Sequence, residues 1–134
     1  MDTVAHWHDI AQSKDPARLA EILAEDCVFY SPIVHTPQVG KEITLMYLTA
    51  AMHVLGGDSF RYVNEIVDGR HAVLEFVAKN EGISINGIDM FSWNEEGKID
   101  SFKVMVRPLK AINLLHAHMK AMLESLAEGA AGAG

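Results

Sequence analysis

The chain has 134 residues, a length that suits one domain with one core. Its 49% hydrophobic and 22% charged residues give an ordinary globular balance. Its formal net charge of −7 argues against a nucleic-acid partner, whose phosphates need a basic patch, and against docking on an anionic membrane.

The start, "MDTVAHWHDIAQSKD", lacks the basic head and long apolar core of a signal peptide. No apolar run is long enough to span a membrane. Residues 3–13 read as a helix, with Val4, Trp7, Ile10 and Ala11 at helical spacing. Asp15 before Pro16 is a capping side chain followed by proline at the first helical position, and that second helix ends near Glu25. A short strand, "CVFYS", covers 27–31, and Pro32 and Pro37 bracket a loop. A third helix covers 41–55 and breaks at "GGD". Strands are predicted over 59–67, 71–79, 83–93 and 98–107, joined by the turns "DGR" and "NEEG". Pro108 opens a last helix to about Ala127, with Ile112, Leu115, Met119, Met122 and Leu126 as its packing stripe. One domain therefore occupies 1–127. The Gly/Ala-rich end, 128–134, is expected to be a flexible tail. Strands joined by tight turns are antiparallel, and helices gathered before such a sheet imply an α+β fold. Three helices in the N-terminal half would pack on a curved, mostly antiparallel sheet and enclose a cone-shaped pocket. A fourth helix closes the chain.

Side-chain alternation in the third of these strands poses a chemical question. One face collects Ile83, Ile85, Gly87, Asp89, Phe91 and Trp93. Asp89 thus lies among apolar side chains, where a carboxylate is costly unless protonated, paired or hydrogen-bonded. Desolvation there would raise its pKa and make it a candidate general acid or hydrogen-bond donor. Arg107 either pairs with Asp89, which would keep the aspartate ionised, or holds an anionic ligand. Trp7, Tyr30 and Tyr47 combine an apolar body with a polar handle and suit either a pocket wall or the core. Phe91 shares the face of Asp89 and reads as lining or core. His35, in the loop "SPIVHTP", is the spare candidate for a general base, since histidine titrates near neutrality. The pairs His6/His8 and His116/His118 are poor metal sites, because residues two apart on a helix point away from each other. No metal site is predicted. Glu75 alternates against Leu74 and Phe76 and belongs to the opposite sheet face. Met46, Met52, Met90 and Met105 would supply a plastic wall. Cys27, the single cysteine, excludes an internal disulfide and fits a reducing cytoplasm. No Gly-rich phosphate loop or nucleophile elbow is present.

The element order resembles the NTF2-like superfamily, which includes ketosteroid isomerases, SnoaL-type polyketide cyclases, scytalone dehydratase and limonene epoxide hydrolase. "LAEDCVFYSPIV" is similar to that family's first strand, and "GIDMFSWNEEGKIDSFKVMVRP" to its long hairpin. The resemblance implies a role for Asp89. In ketosteroid isomerases the hairpin aspartate stays protonated and donates a hydrogen bond to the substrate oxyanion. Two other isomerase positions do not carry over. Trp7 stands where the family has its oxyanion tyrosine, and Ser31 where it has its base. The Arg-x-Asp pair of the epoxide hydrolases is absent from "AVLEFVA". The expected activity is a cofactor-independent isomerase, cyclase or dehydratase acting on an apolar carbonyl-bearing molecule. Asp89 and His35 would be catalytic, and Trp7, Tyr30, Tyr47, Phe91 and Arg107 would bind substrate. The alternative is a non-catalytic ligand-binding or protein-interaction module. A cytoplasmic homodimer formed through the outer sheet face completes the expectation.

Overall fold

A computed structural model describes residues 2–55 and 57–132, with side-chain surroundings through residue 125. Helix α1 (Thr3–Ser13) starts where the Asp2 carboxylate accepts a hydrogen bond from the Ala5 N–H at 3.1 Å. It stops at Lys14, which adopts a left-handed conformation and returns its N–H to the Ile10 carbonyl. Helix α2 (Pro16–Ile22) has the expected Asp15 cap, with the Ala17 N–H at 3.0 Å. It ends earlier than the sequence suggests. Leu23 turns extended and begins β1 (Leu23–Tyr30), because Leu23 pairs with Ile99 of a distant strand. Tertiary pairing here overrides the helix propensity of "LAE".

A two-residue strand, β2 (Gln38–Val39), lies inside the predicted loop and pairs with Val28 and Phe29. Helix α3 (Lys41–Leu55) follows, then β3 (Arg61–Asp68), β4 (His71–Asn80), β5 (Ile83–Trp93) and β6 (Ile99–Arg107). Helix α4 (Leu109–Gly132) extends past the predicted end at Ala127, and residues 133–134 of the expected tail lie outside the described residues. The six strands form one curved, open sheet in the order β2-β1-β6-β5-β4-β3. All neighbours are antiparallel except β1 and β6, which run parallel.

The concave face carries the core. Phe29, Phe76, Phe91, Phe102, Leu74, Ile85 and Ile99 are fully buried, and Trp7, Ile10, Leu19, Ile22 and Leu48 cover them from the helices. Burial of such side chains, roughly 1.5–3 kcal/mol each, is what holds α1 and α3 over the sheet. Ala111 and Leu115 seat α4 against the same body. Gly87 is required for this packing: a Cβ there would lie 2.5 Å from Phe76 Cζ and 2.6 Å from the Met105 carbonyl oxygen. The glycine lets the Phe76 ring lie flat across β5. No helix of the described residues is long and apolar enough to cross a membrane.

Candidate functional site

The helices do not fill the cone. A cavity of about 570 Å³ opens between α1, the end of α3 and the concave faces of β3, β4, β5 and β6. Leu48, Met52, Leu55, Phe60, Phe76 and Phe102 give it an apolar wall. Its polar groups are Asp89, Tyr62, the indole of Trp7 and His8, with Gln12, Lys14, Asp58 and Arg61 exposed among its lining residues. A cavity of this size suits a small organic molecule.

Strand alternation places Asp89 as the sequence predicts. It is 7% exposed, and the only shift in the β5–β6 ladder lies beyond it, between Ser92 and Trp93. The Tyr62 hydroxyl donates to Asp89 Oδ2 at 2.5 Å. The Trp7 indole N–H donates to the Tyr62 oxygen at 3.1 Å. Three elements, α1, β3 and β5, therefore meet in a directed chain, Trp7 to Tyr62 to Asp89. Among the described residues no sealed side-chain oxygen lacks a partner. Asp89 Oδ1, which no donor among the described residues reaches, is therefore open to the cavity.

Burial pushes the Asp89 carboxyl up to about 7, against the opposing pull of the Tyr62 hydrogen bond. Burial, together with the neighbouring Asp89 charge, holds the Tyr62 phenol well above its ordinary range. Tyr62 therefore remains a donor, and Asp89 keeps its proton to far higher pH than an ordinary carboxyl does. With Tyr62 bonded to Oδ2, that proton belongs on Oδ1, where it can be given to a ligand.

The other expected site residues lie elsewhere. His35 is exposed on its loop and lines neither this cavity nor a smaller one nearby, so it is not placed to act as a base. Arg107 does not pair with Asp89. Asp89 lies opposite Val104, and Arg107, three residues on, is exposed and opposite Asn86. Tyr30 follows the inward Phe29 and so faces outward, with the Lys103 Nζ 5.0 Å from its ring centroid. Phe91 is core, stacked on Phe102 at 5.4 Å. Tyr47 stacks on Phe29 at 5.2 Å and lines the smaller cavity, of about 270 Å³, between α3, α4 and residues 31–34. Of the methionines, Met52 lines the larger cavity, whereas Met90 and Met105 are exposed on the convex face. Ser31 lines the smaller cavity and its Oγ accepts the Ile33 N–H, so it offers no base beside Asp89.

The sequence reading missed Tyr62. Its signal was the two-residue spacing from Phe60, which puts both rings on one face, edge to face at 5.1 Å. Cys27 is buried and its thiol is pushed up to about 11 by that burial, so it is inert. Among the described residues no cluster of His, Cys, Asp and Glu is arranged to hold a metal ion.

Residues 4–102 match the family of the SnoaL-like domain. The chain belongs to that family. This SnoaL-like domain is similar to a steroid delta-isomerase from Pseudomonas aeruginosa, with 35% identity, 94% of this chain and 92% of that one covered, and a TM-score of 0.88. It also resembles an uncharacterised bacterial protein with a cystatin-like fold from Silicibacter pomeroyi, at 28% identity over 89% of this chain and 83% of that one, with a TM-score of 0.82. An NTF2-like protein of unknown function from Mesorhizobium loti shares the fold, at 22% identity over 79% of this chain and 88% of that one, with a TM-score of 0.68. No curated protein matches the chain. The SnoaL-like domain thus has the NTF2-like architecture that its hairpin motif suggests.

Proposed function

We propose that this SnoaL-like domain is a cofactor-independent acid–base enzyme for an apolar, carbonyl-bearing small molecule. The ligand occupies the larger cavity with its carbonyl oxygen at Asp89. The observation that carries this reading is a carboxyl with a pKa of about 7, held on Oδ2 by Tyr62 and open on Oδ1 to an apolar chamber. A neutral carboxylic acid in a dry site donates a strong hydrogen bond to an oxygen that gains charge during reaction. The similarity to a steroid delta-isomerase supports the same class of chemistry, proton transfer next to a carbonyl. Isomerisation, cyclisation and dehydration all fall within it.

The convex face of the sheet exposes Ile66, Met90 and Met105, which suits pairing of two copies. A homodimer in the reducing cytoplasm, where the Cys27 thiol persists, completes the proposal.

Thermal unfolding with a panel of apolar ketones, 2-decalone among them, tests the reading. A ketone at about 100 times its Kd adds roughly 2.7 kcal/mol of stability. Ala51→Phe, which projects a ring into the chamber wall, abolishes that shift. Absence of any shift in the wild type would overturn the reading. A ketone that binds and is returned unchanged would favour the non-catalytic binding module, a view that the serine at the family's base position supports.

A further inference from the structure

Proton transfer next to a carbonyl needs a base as well as the Asp89 acid, and neither Ser31 nor His35 reaches the larger cavity. The titratable groups in the cavity wall besides Asp89 and Tyr62 are His8, Lys14, Asp58 and Arg61. Lys14 and Arg61 are cations, and Asp58 sits exposed in the turn before β3. His8 differs from them. It follows Trp7 on α1, its ring stands edge-on to Tyr62 at 5.2 Å, and its Nε2 lies 2.6 Å from Glu65 Oε1.

The placement of Glu65 depends on an irregularity in β3. Tyr62 and Glu65 are three residues apart, so a regular strand would send them to opposite faces. The β3–β4 register shifts between Tyr62 and Asn64. Tyr62 then lies opposite Phe76 and Glu65 opposite Leu74, and both partners point into the core. The extra residue turns Glu65 to the concave side, under His8. Bulges that re-aim a side chain recur beside active sites.

We propose that His8 is the general base of this site and that Glu65 positions it. The proposal rests on the larger cavity binding a carbonyl compound, as argued above. With the Glu65 carboxylate accepting the Nε2–H, the neutral imidazole keeps its lone pair on Nδ1. Nδ1 takes a proton from the carbon next to the ligand carbonyl. The C–H electron pair becomes the new C=C bond as the carbonyl π pair moves onto oxygen, which accepts a hydrogen bond from the Asp89 O–H. The imidazolium is held by Glu65. Return of the proton to the same carbon gives exchange, and return to a conjugated carbon gives isomerisation. Neither route consumes an oxidant or a reductant.

The test is exchange of the α-hydrogens of 2-decalone in deuterium oxide, followed by proton NMR, with binding measured separately by thermal shift. The wild type accelerates exchange. His8→Gln and His8→Ala still bind decalone but lose ~10²-fold or more in exchange rate at saturating decalone, the scale of a general base. Added imidazole restores part of the His8→Ala rate. Glu65→Gln lowers the rate without changing decalone affinity, and His6→Gln leaves both unchanged. A His8→Gln variant that exchanges at the wild-type rate would overturn the assignment. So would a wild type that binds decalone without accelerating exchange, although the cavity reading would then stand. A wild type that binds no ketone would overturn both.

Discussion

Replacing Asp89 by asparagine should make the protein more stable while making it a poorer catalyst, and the size of the gain should depend on pH. The carboxyl is 7% exposed and its pKa lies at about 7 instead of the ordinary 3.8. That difference corresponds to about 4 kcal/mol. Below about pH 4 the folded and unfolded chains both hold the proton, and Asp89 lowers stability by nothing. As pH rises the unfolded chain ionises first, and each pH unit removes about 1.4 kcal/mol from the folded state. The loss is complete once Asp89 itself ionises at about 7. Asparagine has no proton to lose, and its amide oxygen still accepts from Tyr62. Urea unfolding of wild type and Asp89→Asn, at intervals from about pH 4 to pH 9, measures the difference directly. The variant's advantage should start near zero, grow to about 4 kcal/mol near pH 7 and then level off. The same variant should lose ~10²-fold in turnover. A stability difference that does not vary with pH would mean that Asp89 ionises like an exposed carboxylate, and the donor role would fall with it.

Tyr62→Phe removes the hydrogen bond that holds the Asp89 pKa down, so its midpoint should move above about 7. Carbon NMR of the Asp89 carboxyl reads this, and an unmoved or lower midpoint would remove Tyr62 as its donor. The Trp7 N–H also loses its acceptor, and the variant should be less stable by roughly 1–3 kcal/mol. Gly87→Ala drives a methyl into the Phe76 ring and the Met105 carbonyl oxygen, which as backbone has little room to yield. It should lose roughly 1–3 kcal/mol and weaken decalone binding, because Phe76 also lines the cavity. Unfolding midpoints and thermal shifts measure both, and wild-type values would show that β5 relaxes freely.

Much of the fold was legible because its pattern is local. The bounds of α1 and α3 and of strand β5 follow from periodicity and turn residues, and Asp89 points inward because a strand has a period of two. The same rule, carried through "SFKVMVR", would have excluded Arg107. Phe102, Val104 and Val106 turn inward, so Lys103, Met105 and Arg107 turn outward. Tyr30 fails for the same reason, one residue after the buried Phe29. What the pattern could not carry was the non-local part. The early end of α2 is set by a pairing with Ile99, and the position of Glu65 by a register shift in β3. His8 read only as half of an H-x-H pair unsuited to a metal, and its surroundings appear only when α1 lies across β3.

The balance of satisfied and unsatisfied groups distinguishes a functional carboxyl from a packing device. A polar network kept for structure alone closes on itself, since any open member in a dry interior costs stability. Here the chain is closed on one side, where Trp7 bonds Tyr62 and Tyr62 bonds Asp89 Oδ2. On the other side Oδ1 has no donor among the described residues and opens into the larger cavity. An apolar residue at position 89 would match its inward neighbours Ile85 and Phe91 and avoid the desolvation altogether. The fold accepts a raised carboxyl and commits two aromatic donors to orienting it. The remaining proton faces the cavity, where water in the free protein, or a ligand carbonyl under the proposal above, can accept it.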